Sequence, residues 1–242
     1  MPAPAFTLRS PGTDTPYTVY IEAPATVSAP LPAVLFMDGD DQFGAAVEAY
    51  RAGFSAAEIA PLLLVGIGYG ASYTRPGNRR IRDYTPTPLA TEAGSGGADA
   101  FLSFLTDTVW PELRQRYPLR EDVRGLAGHS LGSLLVMHAL FQRTPFFNRM
   151  LASAPSLWWD DRSVLCAGQR LQRTGQPLPA KLFLSVGEDD TESMRGDLDL
   201  LEQQLAALPF PKLEVTMRRF PERDHYNVLP DAFRAGLQWL FA

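Results

Sequence analysis

The residues best suited to chemistry in this chain are Gly128-His129-Ser130-Leu131-Gly132, between a short apolar run and an apolar helical pattern. A G-x-S-x-G segment in that setting is a nucleophile elbow, with the serine on a tight strand-to-helix turn and its hydroxyl lifted clear of the sheet. The flanking glycines remove Cβ atoms that would collide as strand and helix close together. The first N–H groups of the helix then point toward any oxyanion formed at the serine, where the helix dipole favours negative charge. The chemistry expected is acyl transfer, most simply ester hydrolysis, with Ser130 as nucleophile.

A serine hydroxyl needs a base, usually His, and that His needs an orienting acid. With an elbow of this kind both follow the serine, acid first. Of the three histidines, His129 is the variable elbow position and His138 sits two turns along the next helix. His225 is left as the base. It lies in the polar run Pro221–Asn227, after the strand pattern Leu213–Met217 and before a terminal helix over Leu229–Phe241. The acid is expected where the apolar strand Lys181–Val186 runs into Gly187-Glu188-Asp189-Asp190-Thr191-Glu192. Asp190 is the first choice, with Asp189 and Glu192 after it; the remaining carboxylates read as a solvated loop. The oxyanion donors expected are the N–H of Leu131 and, after the apolar strand Pro32–Met37, the N–H of Asp40 in Asp38-Gly39-Asp40-Asp41, with Gly39 next.

The elements that must carry these groups alternate along the chain. Strands are expected over 15–22, 33–37, 62–67, 122–127, 150–154, 181–186 and 213–217. Helices are expected over 43–54, 98–117 with a break at Pro111, 131–142, 192–208 and 229–241, and 160–180 reads as helix and linker. Alternation of this kind requires a mostly parallel sheet covered by helices on both faces. One domain over 1–242 is expected, without a separate cap. The irregular insertion 71–98 is the candidate lid. The glycines at 66, 68 and 70 make no dinucleotide fingerprint, because no amphipathic helix opens on them.

Composition narrows the function classes. The 242 residues are 45% hydrophobic and 20% charged, ordinary for a globular chain, and the formal net charge of -5 argues against a partner recognised through phosphates. The single cysteine, Cys166, excludes an internal disulfide and is expected as a small buried hydrophobe. Three separated histidines supply no H-x-H or H-E-x-x-H spacing, so neither metal nor cofactor is expected. Met1–Phe6 carries no basic segment leading into an apolar stretch, and no apolar run approaches bilayer length. Cytoplasmic residence with no membrane partner is the expectation. No oligomeric state is specified.

Four segments together carry a resemblance: Phe36-Met37-Asp38-Gly39-Asp40, Arg80-Ile81-Arg82-Asp83-Tyr84-Thr85-Pro86-Thr87-Pro88, the elbow, and Ser153-Ala154-Pro155-Ser156-Leu157-Trp158-Trp159. The chain resembles the Putative esterase family of the α/β-hydrolase superfamily, and most of all its branch of siderophore esterases. The resemblance implies an α/β-hydrolase fold, Ser130 as nucleophile, His225 as base, and a small ester substrate of siderophore or simple acyl type. Asp224 stands where that family often has glycine. Arg82 and Tyr84, with Arg80, are candidate substrate-binding residues at the mouth of the site, arginine gripping an anion through paired N–H donors. The competing reading has Arg82 and Asp83 tying the loop to the body. Trp158 is expected to wall the acyl pocket while Trp159 packs in the core. Two other functions are compatible with the pattern: an acyltransferase using the same acyl-enzyme, and a catalytically silent binding module.

Overall fold

The computed structural model describes residues 3–26 and 29–242. Met1 and Pro2, at the start of the segment read for a signal, lie outside the described residues, as do Val27 and Ser28 of the connection 23–32. The strands are β1 (Pro4–Arg9), β2 (Pro16–Glu22), β3 (Leu31–Phe36), β4 (Leu63–Gly68), β5 (Leu119–His129), β6 (Arg149–Ser153), β7 (Ala180–Gly187) and β8 (Leu213–Phe220). The helices are α1 (Phe43–Ser55), α2 (Arg80–Tyr84), α3 (Ala98–Phe104), α4 (Trp110–Arg116), α5 (Leu131–Leu140), α6 (Trp159–Gln172), α7 (Glu192–Ala207) and α8 (Leu229–Leu240).

All eight strands form one sheet in the order β1-β2-β4-β3-β5-β6-β7-β8. The pairs β1–β2 and β2–β4 are antiparallel, and every pair from β4 to β8 is parallel. Strands β3, β4, β6 and β7 and the C-terminal half of β5 are buried on both sides, which is why they read as apolar runs without clean alternation. On one face α1 and α8 cover Phe36, Leu151 and Phe183, with Phe233 among them. On the other, Leu35, Leu126, Met150 and Leu184 pack with the apolar sides of α3 to α7. The result is a mostly parallel sheet covered by helices on both faces, as the alternation of elements required.

Three local readings are corrected. Pro4–Arg9 pairs as an edge strand with β2, although its alternation is too weak to declare one in the sequence. The expected helix over 98–117 is three pieces, because a π-helical turn over Leu105–Val109 separates α3 from α4. Pro111 follows that turn after Trp110, so its missing N–H leaves one bond of the continuous helical run unmade where the π turn has already altered the ladder. Cys166 is exposed on α6 rather than buried.

The insertion 71–98 is fastened to the body at several points. Arg80 Nε and Nη2 donate to both oxygens of Asp38 at 2.9 and 3.0 Å. Ser72 and the Tyr73 N–H bond to Asp41, the Gly97 N–H donates to the Arg82 carbonyl, and Trp159 Nε1 donates to the Thr87 carbonyl.

Candidate active site

Strand β5 runs into the tight turn that carries Ser130. Ser130 has φ 58° and ψ −123°, a left-handed conformation that costs a non-glycine residue on the order of 1–3 kcal/mol. Its surroundings impose it. The Ser130 N–H donates to the Ser153 carbonyl at 3.0 Å, and the Ser130 carbonyl accepts from the N–H groups of Ser133 and Ser156 at 3.0 and 3.2 Å. A Cβ at Gly128 would lie 2.4 Å from the Gly132 carbonyl carbon, so glycine there is a steric requirement. Ser133, buried one turn into α5, ties the crossing together by donating to the carbonyls of Gly128 and Ser153. The Ser130 hydroxyl lies 3.4 Å from that of Ser156.

The loops after β7 and β8 are pressed against each other, and this brings Asp190 to His225. A Cβ at Gly187 would sit 2.0 Å from the Arg223 carbonyl oxygen, an approach only glycine permits. The Glu188 N–H donates to the Phe220 carbonyl and the Asp189 N–H to the Arg223 carbonyl, both at 2.9 Å. Asp190 is buried, with Oδ1 accepting the Thr191 N–H at 2.7 Å and Oδ2 2.9 Å from His225 Nδ1. A carboxylate only accepts, so Nδ1 carries the hydrogen and Nε2 is the free basic nitrogen. Glu188, Asp189 and Glu192 are exposed, which separates Asp190 from its acidic neighbours.

Asp224, the residue before His225, holds its own turn. Its carboxylate accepts the N–H groups of Tyr226 and Asn227 at 2.8 Å, and its N–H donates to Asn227 Oδ1. Those bonds from Asn227 and Tyr226 hold the Asp224 carboxyl below its ordinary range.

His129, Ser130 and His225 line one cavity of about 630 Å³ with Gln42, Tyr73, Arg80, Tyr226 and Asn227. The N–H of Leu131, first in α5, precedes any possible intrahelical acceptor. Among the described residues the Asp40 N–H has no bonded acceptor, whereas its neighbours Gly39 and Asp41 donate to Ile67 and Asp38. The Asp40 carboxylate is occupied elsewhere, accepting from the Tyr20 hydroxyl and the N–H groups of Tyr69 and Gly70.

Three expected binding residues stand apart from this cavity. Arg82 turns away and donates to Asp83, Tyr17 and Thr15, tying the insertion to β2. Tyr84 is fully buried, and its hydroxyl accepts the Asp38 N–H at 2.9 Å, so it braces the loop after β3. Trp158 is exposed against Trp159 and does not line the cavity, whereas Trp159 packs in the core as expected. The arginine that does face the cavity is Arg80, two residues earlier and one side of α2 away. It stacks over Tyr73 at 4.5 Å and forks onto Asp38. Burial raises the Asp38 carboxyl against the pull of Arg80, and burial raises the Tyr73 hydroxyl. Burial alone would lower Arg80, but Asp38 more than reverses it. Tyr73, Tyr226 and Ser156 carry no site role in the sequence reading, and His129 enters it only as the variable elbow position. The available signals were chain adjacency, Tyr226 to His225 and His129 to Ser130.

Among the described residues no cluster of three His, Cys, Asp or Glu could hold a metal ion, and no helix is long and apolar enough to cross a membrane.

Comparison with known proteins agrees with this architecture. A siderophore triacetylfusarinine C esterase of Aspergillus fumigatus is 37% identical over 161 residues, 62% of this chain and 54% of that protein. The match therefore spans about half of that relative's length. The ferri-bacillibactin esterase BesA of Bacillus subtilis is 26% identical over 236 residues, 88% of this chain and 81% of that protein. Among solved structures, the BES protein from Bacillus cereus superposes with a TM-score of 0.88 at 24% identity, covering 98% of this chain and 94% of that one. The siderophore hydrolase EstB from Aspergillus nidulans gives 0.84 at 24% identity, with 98% and 94% covered. Both superpositions speak to the fold. The family model described as "Putative esterase" matches residues 10–225, so the chain belongs to that esterase family, on the α/β-hydrolase fold.

Proposed function

We propose that this protein hydrolyses carboxylic esters through an acyl-enzyme on Ser130. His225 Nε2 takes the hydroxyl proton as Ser130 Oγ attacks the ester carbonyl carbon. Asp190 keeps the hydrogen on Nδ1 and stabilises the imidazolium as it forms. The N–H groups of Leu131 and Asp40 receive the oxyanion, each donor worth about 10²–10³ in rate. Collapse breaks the carbonyl–alcohol bond, and His225 returns the proton to the leaving alkoxide. Water, deprotonated by His225, then attacks the acyl carbon; collapse breaks the bond to Ser130 Oγ, and His225 returns the proton to that oxygen as the acid leaves.

The observation that carries this reading is the buried contact of Asp190 with His225 on a ring that shares a cavity with Ser130. The substrate class proposed is a siderophore-type ester, supported by the names of the two relatives and by the lining of the cavity. There Arg80 spends two nitrogens on Asp38, which leaves Nη1 for an oxygen of the substrate, and Tyr73 and Tyr226 supply flat faces.

The test is a panel of p-nitrophenyl acetate, p-nitrophenyl butyrate and macrolactone siderophores, with Ser130→Ala beside the wild type. The variant is expected to lose at least about 10³-fold in kcat. Turnover undiminished in Ser130→Ala would falsify the assignment.

A further inference from the structure

We infer that His129, the residue between Gly128 and Ser130, is a positioning residue whose uncharged ring packs against His225 and holds that ring between Asp190 and Ser130. The inference rests on the proposed catalytic reading and adds a part to it.

A single hydrogen bond to Asp190 fixes one atom of His225 but leaves the ring free to pivot about the Nδ1···Oδ2 line. A second contact is needed to keep Nε2 aimed at Ser130. His129 provides one, with ring centroids 4.6 Å apart and planes inclined at 47°. The other ring beside His225 is Tyr226, which is 82% exposed and so has little packed around it to resist motion. His129 is only 3% exposed. Its Nδ1 lies 3.1 Å from the Ser153 hydroxyl, on the residue directly across from it in β6, and this sets the plane of the ring. Its Nε2 is buried and makes no full hydrogen bond among the described residues, although the His225 backbone faces it. A buried nitrogen without a partner costs on the order of 1–3 kcal/mol, which an apolar residue would avoid.

The chain geometry makes the arrangement rigid. His129 ends β5 and Ser130 begins the turn, so the support and the nucleophile are adjacent links of one constrained segment. Burial, with His225 alongside, lowers His129 to about 3, so it stays neutral where His225 works. A cation there would oppose the imidazolium that His225 must become.

The experiment compares wild type, Ser130→Ala, His129→Ala, His129→Leu and His129→Phe in p-nitrophenyl butyrate hydrolysis and in the rate of Ser130 labelling by an organophosphonate. Thermal unfolding and far-UV circular dichroism identify the folded variants. His129→Ala is expected to lose about 10²-fold in kcat with KM changed less than about 3-fold, and labelling should slow in parallel. His129→Leu replaces the planar ring with a branched chain and should behave like His129→Ala, which also covers the case where the alanine variant does not fold. His129→Phe keeps the ring and should recover to within about 5-fold of wild type. The inference is overturned if a folded Ala or Leu variant keeps its kcat, if the loss lies in KM alone, or if Phe is as impaired as Ala. A wild type without ester turnover, or an active Ser130→Ala, would instead remove the catalytic reading beneath it.

Discussion

Replacing Asp190 by asparagine changes one atom at the centre of the proposed machinery, and its effect follows from the donors around it. Two N–H groups compete for the side chain: Thr191 N–H at Oδ1 and His225 Nδ1–H at Oδ2. A carboxylate accepts both, but an amide offers one oxygen and one NH2. The Thr191 N–H belongs to the backbone of the α7 cap and cannot change its role, so the amide oxygen must stay there. The NH2 then faces His225 Nδ1, which becomes an acceptor and moves the ring hydrogen to Nε2. That tautomer cannot take the proton of Ser130. The wrong tautomer costs about 10⁴ in kcat in a serine triad, about 5 kcal/mol of transition-state stabilisation. Steady-state hydrolysis of p-nitrophenyl butyrate reads it directly. Asp189→Asn is the matched control: its side chain is exposed, and its activity should stay within about 2-fold of wild type. Asp190→Asn retaining a tenth of wild-type kcat, or Asp189→Asn losing as much as Asp190→Asn, would refute the reasoning.

Two further outcomes are expected. Arg80→Met strands the fully buried Asp38 carboxylate, a loss of about 3–5 kcal/mol that corresponds to a fall in Tm on the order of 10 °C. Calorimetry checks it, and a fall below about 2 °C would mean that Asp38 does not depend on its partner. His129 takes its proton near the model-peptide value of 6.5 in the unfolded chain and near 3 in the fold. Below 6.5 the unfolded state binds more protons, so this residue makes stability fall as the pH drops through that window. Between pH 7 and 4.5 the wild type should lose about 2–3 kcal/mol more than His129→Phe in urea unfolding, and parallel losses would contradict the shift.

The elements that depend on neighbours in the chain were legible. The strand–elbow–helix around Ser130, the parallel core strands and the terminal helix follow from apolar runs and glycine spacing, and His225 follows from chain order. The exceptions inside elements have local causes. A π turn over Leu105–Val109 separates α3 from α4 before Pro111, and β1 is an edge strand too weakly patterned to declare itself.

The site residues that the sequence leaves undecided or misplaces share another cause. Arg80 and Arg82 are two residues apart on a short helix, so they point to different sides, and only the docking of α2 against β3 and β2 decides which meets the cavity. Tyr84 and Trp158 have the right chemistry for a binding wall, but one is drawn under Asp38 and the other is left against solvent. Asp190 is one carboxylate among four until Gly187 lets the β8 loop close over it and leave the others outside. By itself, then, the sequence determined the fold class, the elbow and the loops that carry its partners, because periodicity, steric permission and order along the chain are local properties. Only the tertiary structure decided which acid, which arginine and which second imidazole share the space around Ser130, because those choices rest on strand register and loop contacts between residues far apart in the chain.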